Sequence, residues 1–155
     1  MKLDAWEAIS SLIAAGGVFQ YGRYQIVDSN GELHREDGPA VVYPHGTQYW
    51  YRSDQLHRDD GPAIVDSDGS YHWYRNGKIH RDNGPAIVYS NGTQHWYRND
   101  EPHRDDGPAT IYSNGTQKWY RDGMCHRADG PAIIYPDGTK TWYINGKLQK
   151  WQNPE

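Results

Sequence analysis

A repeat of 23 residues dominates the sequence and limits what the chain can fold into. The repeat is marked by a His-Arg pair whose histidines are His34, His57, His80, His103 and His126. A Gly-Pro-Ala triplet follows each pair, and a Trp-Tyr pair follows each triplet. Five full units occupy residues 34–148, after a partial unit without the aromatic pair at residues 18–33. A period of this length indicates a stack of small, similar supersecondary units.

Each unit carries the punctuation of β-hairpins. A β-branched run meets a turn such as Ser90-Asn91-Gly92, a second strand follows, and that strand ends at a turn such as Asn76-Gly77. Asn and Gly supply the positive φ angles that tight hairpin turns require. We therefore predict an all-β fold, a twisted antiparallel meander of about ten strands. At about 4.8 Å between strands, the sheet would be elongated, on the order of 50–55 Å long.

The two ends of such a sheet are open edges that need covers. Residues 1–17 are predicted to form an N-terminal amphipathic helix cap, in which Asp4 and Glu7 match a capping box. The apolar face of this helix would contain Leu3, Trp6, Ile9, Leu12 and Ile13. Binding of a partner is the alternative use of the helix. Residues 149–155 are predicted to be a C-terminal tail, with Trp151 as a smaller cover. Edge-to-edge pairing into a homodimer is also open.

Composition excludes several classes of function. The net charge is -4 and no basic run occurs, so no nucleic acid partner is expected. Cys125 is the only cysteine, which leaves no disulfide framework and no zinc spacing, and we expect no metal and no cofactor. Acidic residues interrupt the apolar N-terminal run, and no segment is long enough to span a membrane. We predict a cytoplasmic protein.

The recurrent His, Arg and Asp could suggest a catalytic site. A single unit, however, has no recurrent nucleophile, and equivalent histidines of neighbouring units would lie about 10 Å apart, too far to share a metal ion. In the third unit the Asp is replaced by Asn83, which a turn tolerates and a general base does not. We predict that these residues are structural, that no residue is catalytic and that the protein is not an enzyme.

The Trp-Tyr pair places two rings on opposite faces of a strand. We expect the Trp to build the core, although stacking on a sugar or choline stays open. The residue before each Trp varies most, and this row is Tyr49, His72, His95, Lys118 and Thr141. It would lie outward, on the same face as the Tyr after the Trp. A constant frame with variable outward positions is typical of repeat proteins that bind a partner, so we predict partner binding by this row. Unselected variation is the alternative.

The unit with the sequence YPDGTKTWYINGK resembles the MORN-repeat family, whose repeats also have 23 residues, a YPDG-like turn, an aromatic second strand and an N-G-K turn. The resemblance covers residues 23–148. It departs from the family because Arg follows His, and because Gly-Pro-Ala stands where the family usually has Gly-x-Gly. This variant resembles repeats of uncharacterised bacterial and phage proteins. The resemblance implies an elongated hairpin sheet that binds proteins or acidic lipids, and it implies no chemistry.

Together these observations predict a non-enzymatic binding protein with an extended repeat surface for a protein partner. One form of this role is an inhibitor, encoded by a phage or mobile element, of a host enzyme or defence complex. A scaffold for a membrane surface of acidic lipids is one alternative, which the net charge of -4 disfavours. A module that binds a cell-wall polymer, choline or glucan, is the other.

Overall fold

The structure, a computed structural model, describes residues 4–154 and begins with one helix. Helix α1 spans Ala5–Ala14, and the Asp4 carboxylate caps it by accepting the Glu7 N–H at 2.8 Å. Ala8, Ile9 and Leu12 are buried and pack on Val42 of the sheet. The predicted helix and its packing on the first strands are thus confirmed.

The buried face of α1 is narrower than the sequence predicted. Trp6 and Ile13 are exposed, so the expectation that both belong to the apolar face is wrong. The buried positions 8, 9 and 12 form the stripe that one side of a helix can turn toward the sheet. Leu3, the remaining member of the predicted face, lies outside the described residues.

Twenty-one short strands follow the helix in the described part of the chain. In chain order they are β1 Val18–Gln20, β2 Arg23–Gln25, β3 Val41–Val42, β4 Gln48–Tyr49, β5 Tyr51–Arg52, β6 Gln55–Leu56, β7 Ile64–Val65, β8 Tyr71–His72, β9 Tyr74–Arg75, β10 Lys78–Ile79, β11 Ile87–Val88, β12 Gln94–His95, β13 Tyr97–Arg98, β14 Glu101–Pro102, β15 Thr110–Ile111, β16 Gln117–Lys118, β17 Tyr120–Arg121, β18 Met124–Cys125, β19 Ile133–Ile134, β20 Lys140–Ile144 and β21 Lys147–Gln152.

Thirteen of these strands form one antiparallel meander sheet, and the other eight form four separate two-stranded hairpins. The predicted antiparallel meander of hairpins with a short N-terminal helix is therefore confirmed. The chain divides into two compact units, Met1–Lys78 and Ile79–Glu155. The first contains α1 and the sheet strands β1–β4, β7 and β8, and the second contains β11, β12, β15, β16 and β19–β21.

The Trp of most repeats divides what the sequence suggested would be one strand. Strand β12 ends before Trp96 and β13 begins after it. The Trp96 N–H donates to Ala109 in the sheet at 2.8 Å, whereas the Trp96 carbonyl accepts the His103 N–H of the next hairpin at 3.1 Å. Because its two backbone groups serve different partners, the strand changes partner at the Trp. The meander sheet has thirteen strands where about ten were predicted, and the described chain has eight further strands in the separate hairpins.

The turns follow the predicted chemistry. At the turn between β20 and β21, Asn145 and Gly146 have φ angles of 49° and 76°. Two consecutive positive φ angles are those of the tight turn that matches the twist of a hairpin. Strand β21 pairs with β20 along its length, so most of the predicted C-terminal tail is the last strand of the sheet. Trp151 lies opposite Thr141 and is 58% exposed.

The Gly-Pro-Ala triplets place a small side chain at each crowded point of the sheet. All five alanines of the triplets have no exposed surface, and these are Ala40, Ala63, Ala86, Ala109 and Ala132. In the first compact unit, Ala63 packs with Val65 and Trp50 to form a buried cluster. This frame fixes the strand positions on which the remaining side chains are presented.

Candidate functional site

One side of the sheet in the second compact unit is covered by tyrosine rings. Side chains two residues apart along a strand, or directly opposite across two strands, lie on the same face. His95, Lys118 and Thr141 share a face by this rule, because Thr110 lies opposite the first two and Ile133 lies opposite the last two. We call the following set the tyrosine face: Tyr89, His95, Tyr97, Tyr112, Lys118, Tyr120, Tyr135, Thr141 and Tyr143.

His95 is wedged between two of these tyrosines. Its ring meets the rings of Tyr89 and Tyr112 edge to face, with centroids 5.7 and 5.8 Å away. Its Nδ1 lies 3.1 Å from the Thr110 hydroxyl. Burial, with a smaller contribution from the Lys118 charge, lowers the pKa of His95. A neutral imidazole therefore fills the space between the two tyrosines at neutral pH.

The space between Tyr112 and Tyr135, the next two tyrosines along the face, is open. Lys118 places its Nζ over the Tyr112 ring, 5.2 Å from the centroid. A shallow groove of about 490 Å³ lies beside it. The lining residues are Tyr112, Asn114, Thr116, Lys118, Tyr135, Pro136 and Asp137. Burial raises the pKa of Tyr97 and of Tyr120, so these phenols keep their protons and can donate hydrogen bonds.

The first compact unit repeats the arrangement with other residues. Tyr49 contacts Tyr43 and Tyr51, with ring centroids 5.7 and 6.3 Å apart. His72 pairs with Asp66 at 3.0 Å. Asp66 occupies the repeat position that holds Tyr43 in the previous repeat. The residue beside the variable row therefore changes here, as well as the row itself.

Within each compact unit, the members of the predicted binding row lie on one side of the strands. Its members are less exposed than an outward row would be. Tyr49, His72, His95 and Lys118 are half-buried, and Thr141 is only 7% exposed. For Tyr49 and His95 the reason is that neighbouring tyrosine rings pack around the side chain. The Thr141 hydroxyl has no hydrogen-bond partner within residues 4–154.

The Trp rings are part of the core in only one described case. Trp50 is 9% exposed, whereas the other four tryptophans of the repeats are half-buried. A guanidinium covers one face of several rings. Arg58 lies 4.3 Å from the centroid of Trp50, and Arg104 lies 4.2 Å from that of Trp96. The expectation that the Trp builds the core is therefore met at Trp50 and only in part at the other four, which are half-buried.

The His-Arg pairs belong to loops that we call the charged loops, residues 34–39, 57–62, 80–85, 103–108 and 126–131. In the fourth loop, Arg104 Nε donates to Asp106 at 2.9 Å and Nη1 donates to the Pro108 carbonyl at 3.3 Å. A Cβ at Gly107 would stand 2.9 Å from the Arg104 guanidinium carbon, so a side chain there would displace the guanidinium from this position. Hydrogen bonding to Arg104, together with its charge, lowers the pKa of Asp106.

The histidines of the second, third and fourth charged loops, His57, His80 and His103, are held on both ring nitrogens. The Asp122 N–H lies 3.1 Å from His103 Nδ1, and His103 Nε2 lies 3.1 Å from Asp105. The other oxygen of Asp105 accepts from Arg98 Nη2 at 2.9 Å. The sequence interpretation missed this bridging carboxylate, although it recurs 23 residues apart at Asp59, Asp82 and Asp105.

The described residues 4–154 contain no group of three or more His, Cys, Asp or Glu side chains arranged to hold a metal ion. Burial raises the pKa of the Cys125 thiol. In the same range, no helix has the length and apolar character needed to cross a membrane.

No protein-family model matches the chain, and no curated protein matches it.

Proposed function

We propose that the protein is a non-enzymatic binding protein that presents its tyrosine face to a protein partner. One observation carries this proposal: half-buried and exposed tyrosines flank a variable strand position that is His95, Lys118 or Thr141 in successive repeats. Tyrosine offers a large contact area and a hydroxyl at a low cost in side-chain entropy, which is why it is enriched in protein interfaces. The changing centre gives each repeat a different shape for recognition.

The contacts of the charged loops support a role without catalysis. Both the guanidinium of Arg104 and the imidazole of His103 are used in bonds that hold their own loop. A residue that acts as an acid or base must instead be free to reach a substrate.

The alternatives have less support from the same surfaces. The tyrosine face of the second unit carries one lysine, Lys118, whereas recognition of acidic lipids favours a cluster of basic side chains. Stacking of a sugar or choline on the tryptophans would have to compete with the guanidinium already on the Trp96 ring. The inhibitor role, the origin in a phage or mobile element, the cytoplasmic location and the relation to the MORN repeats stay predictions.

The experiment is affinity capture from a lysate of the native host, with mass spectrometry, by the parent chain and two matched variants. The first variant is Tyr112→Ser with Tyr135→Ser, which removes the walls of the open groove. The control is Gln94→Ser with Gln117→Ser, which changes half-buried residues on the other side of the same strands. We expect the parent and the control to capture the same protein and the tyrosine variant to lose it while staying folded. Capture of that protein by all three chains would contradict the proposal.

A further inference from the structure

The charged loops contain a carboxylate at a fixed place. In the first compact unit, the two oxygens of Asp59 lie 2.7 Å from Arg52 Nη2 and 2.8 Å from His57 Nε2. In the second, Asp105 makes the equivalent contacts with Arg98 and His103 at 2.9 and 3.1 Å. Each carboxylate joins an arginine seven residues before it to a histidine two residues before it.

The fifth repeat keeps the two donors and lacks the acid. Arg121 and His126 occupy the positions of Arg98 and His103, but Ala128 stands where Asp105 would be. Within residues 4–154, Arg121 has no hydrogen bond or ion pair, and neither does His126 Nε2. Two donors that elsewhere hold one carboxylate therefore face a vacant position.

The histidine is nevertheless held in place. The Asn145 N–H lies 3.2 Å from His126 Nδ1, as the Asp122 N–H lies 3.1 Å from His103 Nδ1. The Asn145 side-chain oxygen also lies 2.7 Å from the same nitrogen. The neutral tautomer with its proton on Nε2 accepts the first contact on Nδ1, the imidazolium makes the second contact, and both of these forms can donate from Nε2.

The vacant position opens on a cleft of about 540 Å³. Its lining includes Arg121, His126 and Ala128, with the Trp119 ring beside them. The other two arginines of the lining are already neutralised, because Arg104 pairs with Asp106 and Arg127 pairs with Asp129, each at 2.9 Å. The Arg121 charge is the one in this lining that is not paired.

We propose that this cleft binds the carboxylate of another molecule at the position that Asp105 fills in the preceding repeat. One oxygen accepts from the Arg121 guanidinium and the other accepts from His126 Nε2. The bridging carboxylates of Asp59 and Asp105 identify the ligand class, because their two oxygens meet the same pair of donors. Charge-assisted bonds of this kind are stronger than neutral ones, and the guanidinium fork suits a planar carboxylate. The site does not depend on the tyrosine face.

The test is an NMR titration of the isotope-labelled full chain with sodium acetate, compared with sodium chloride at equal ionic strength. We expect saturable shifts of the Arg121 Nε–H and His126 ring signals with acetate alone. In Ala128→Asp the internal carboxylate occupies the position, so half-saturation should need about tenfold more acetate or vanish. In Asp105→Ala a second site should appear, reported by Arg98 and His103. Equal acetate affinity of the parent and Ala128→Asp would overturn the proposal.

Further arms separate the alternatives. If Ala128→Asp does not fold, Arg121→Gln takes its place, and retention of the saturable His126 shift in that variant would overturn the proposal. Saturation by inorganic phosphate without saturation by acetate would overturn the carboxylate assignment. A capped peptide with one Glu, titrated in the same way, separates two forms of the site. Tighter binding than acetate supports a carboxylate carried on a protein, and equal binding supports a free one.

Discussion

In the fourth repeat, the loop at Arg104 and the strand at Lys118 lie only fourteen positions apart, yet they relate differently to the other repeats. The guanidinium of Arg104 covers a Trp ring at 4.2 Å, and Arg127 of the next repeat does the same at the same distance. The position of Lys118 is His95 in one neighbouring repeat and Thr141 in the other. Repetition of contacts indicates a structural role for the loops, and change within a fixed frame indicates where recognition can differ.

The largest effect on stability is expected from Trp50→Ala, which removes the ring that Arg58 of a charged loop covers. Trp50 is buried against Ala63 and Val65 and also carries the Arg58 guanidinium. We expect the substitution to lower the free energy of unfolding by about 3–5 kcal/mol, measured by chemical denaturation. Trp151→Ala is the matched control, because that ring is 58% exposed, and it should cost less than about 1 kcal/mol. Similar losses for the two variants would contradict the assignment of Trp50 to the core.

A smaller effect is expected from Arg104→Ala. This change removes the contact with the Trp96 ring and the bonds to Asp106 and the Pro108 carbonyl. Because Asp106 is exposed, its share is reduced by solvent, and we expect a total loss of about 1–2 kcal/mol. Arg121→Ala, which removes an arginine without an internal partner in the described chain, should change the free energy of unfolding by less than about 0.5 kcal/mol. Equal losses would mean that the loop contacts of Arg104 contribute nothing.

Much of the frame can be predicted from the sequence because the signals are local. The 23-residue period and turns such as Asn145-Gly146 are sufficient for the hairpin meander. The change of partner at Trp96 could not be predicted, because it depends on where the backbone of Ala109 lies across the sheet. The packing of His95 between two tyrosines also depends on three separate segments of the chain.

One break in the repeat pattern of the sequence marks the cleft at Arg121 and His126. The column of Asp59, Asp82 and Asp105 ends at Ala128, and this break is visible without any structure. Its meaning was not accessible, since the sequence does not show that one carboxylate joins an arginine seven residues earlier to a histidine two residues earlier. Once the Asp105 contacts are known, the break identifies two donors without an acceptor in the described chain.

On the tyrosine face, His95→Ala should have a measurable effect on stability, whereas an outward surface position would tolerate the change. The ring of His95 contacts Tyr89 and Tyr112 edge to face, and such pairs contribute about 0.5–1.5 kcal/mol each. We expect a loss near 1 kcal/mol in chemical denaturation, because the tyrosines can partly fill the space. Lys118→Ala is the control and should lose less than about 0.5 kcal/mol. No loss in the free energy of unfolding of His95→Ala would instead indicate that the row is freely exposed.

The smallest effect on stability is expected where the effect on binding should be largest. Lys118→His gives the fourth repeat the centre of the third, and the new ring would lie between Tyr112 and Tyr135 as His95 lies between Tyr89 and Tyr112. Because aromatic contacts replace the contact of Lys118 with Tyr112, the free energy of unfolding should change by less than about 0.5 kcal/mol.

The same substitution should close the groove of about 490 Å³ that Lys118 borders. If the variation between repeats serves recognition, Lys118→His should abolish capture of the partner found with the parent chain, and unchanged thermal unfolding would show that the fold is intact. If the variation has no function, exchanging one natural centre for another should leave capture unchanged. Gln117→Ser, at the adjacent position on the opposite face, controls for disturbance of the strand. A folded Lys118→His chain that captures the partner as the parent does would remove the groove from the interface.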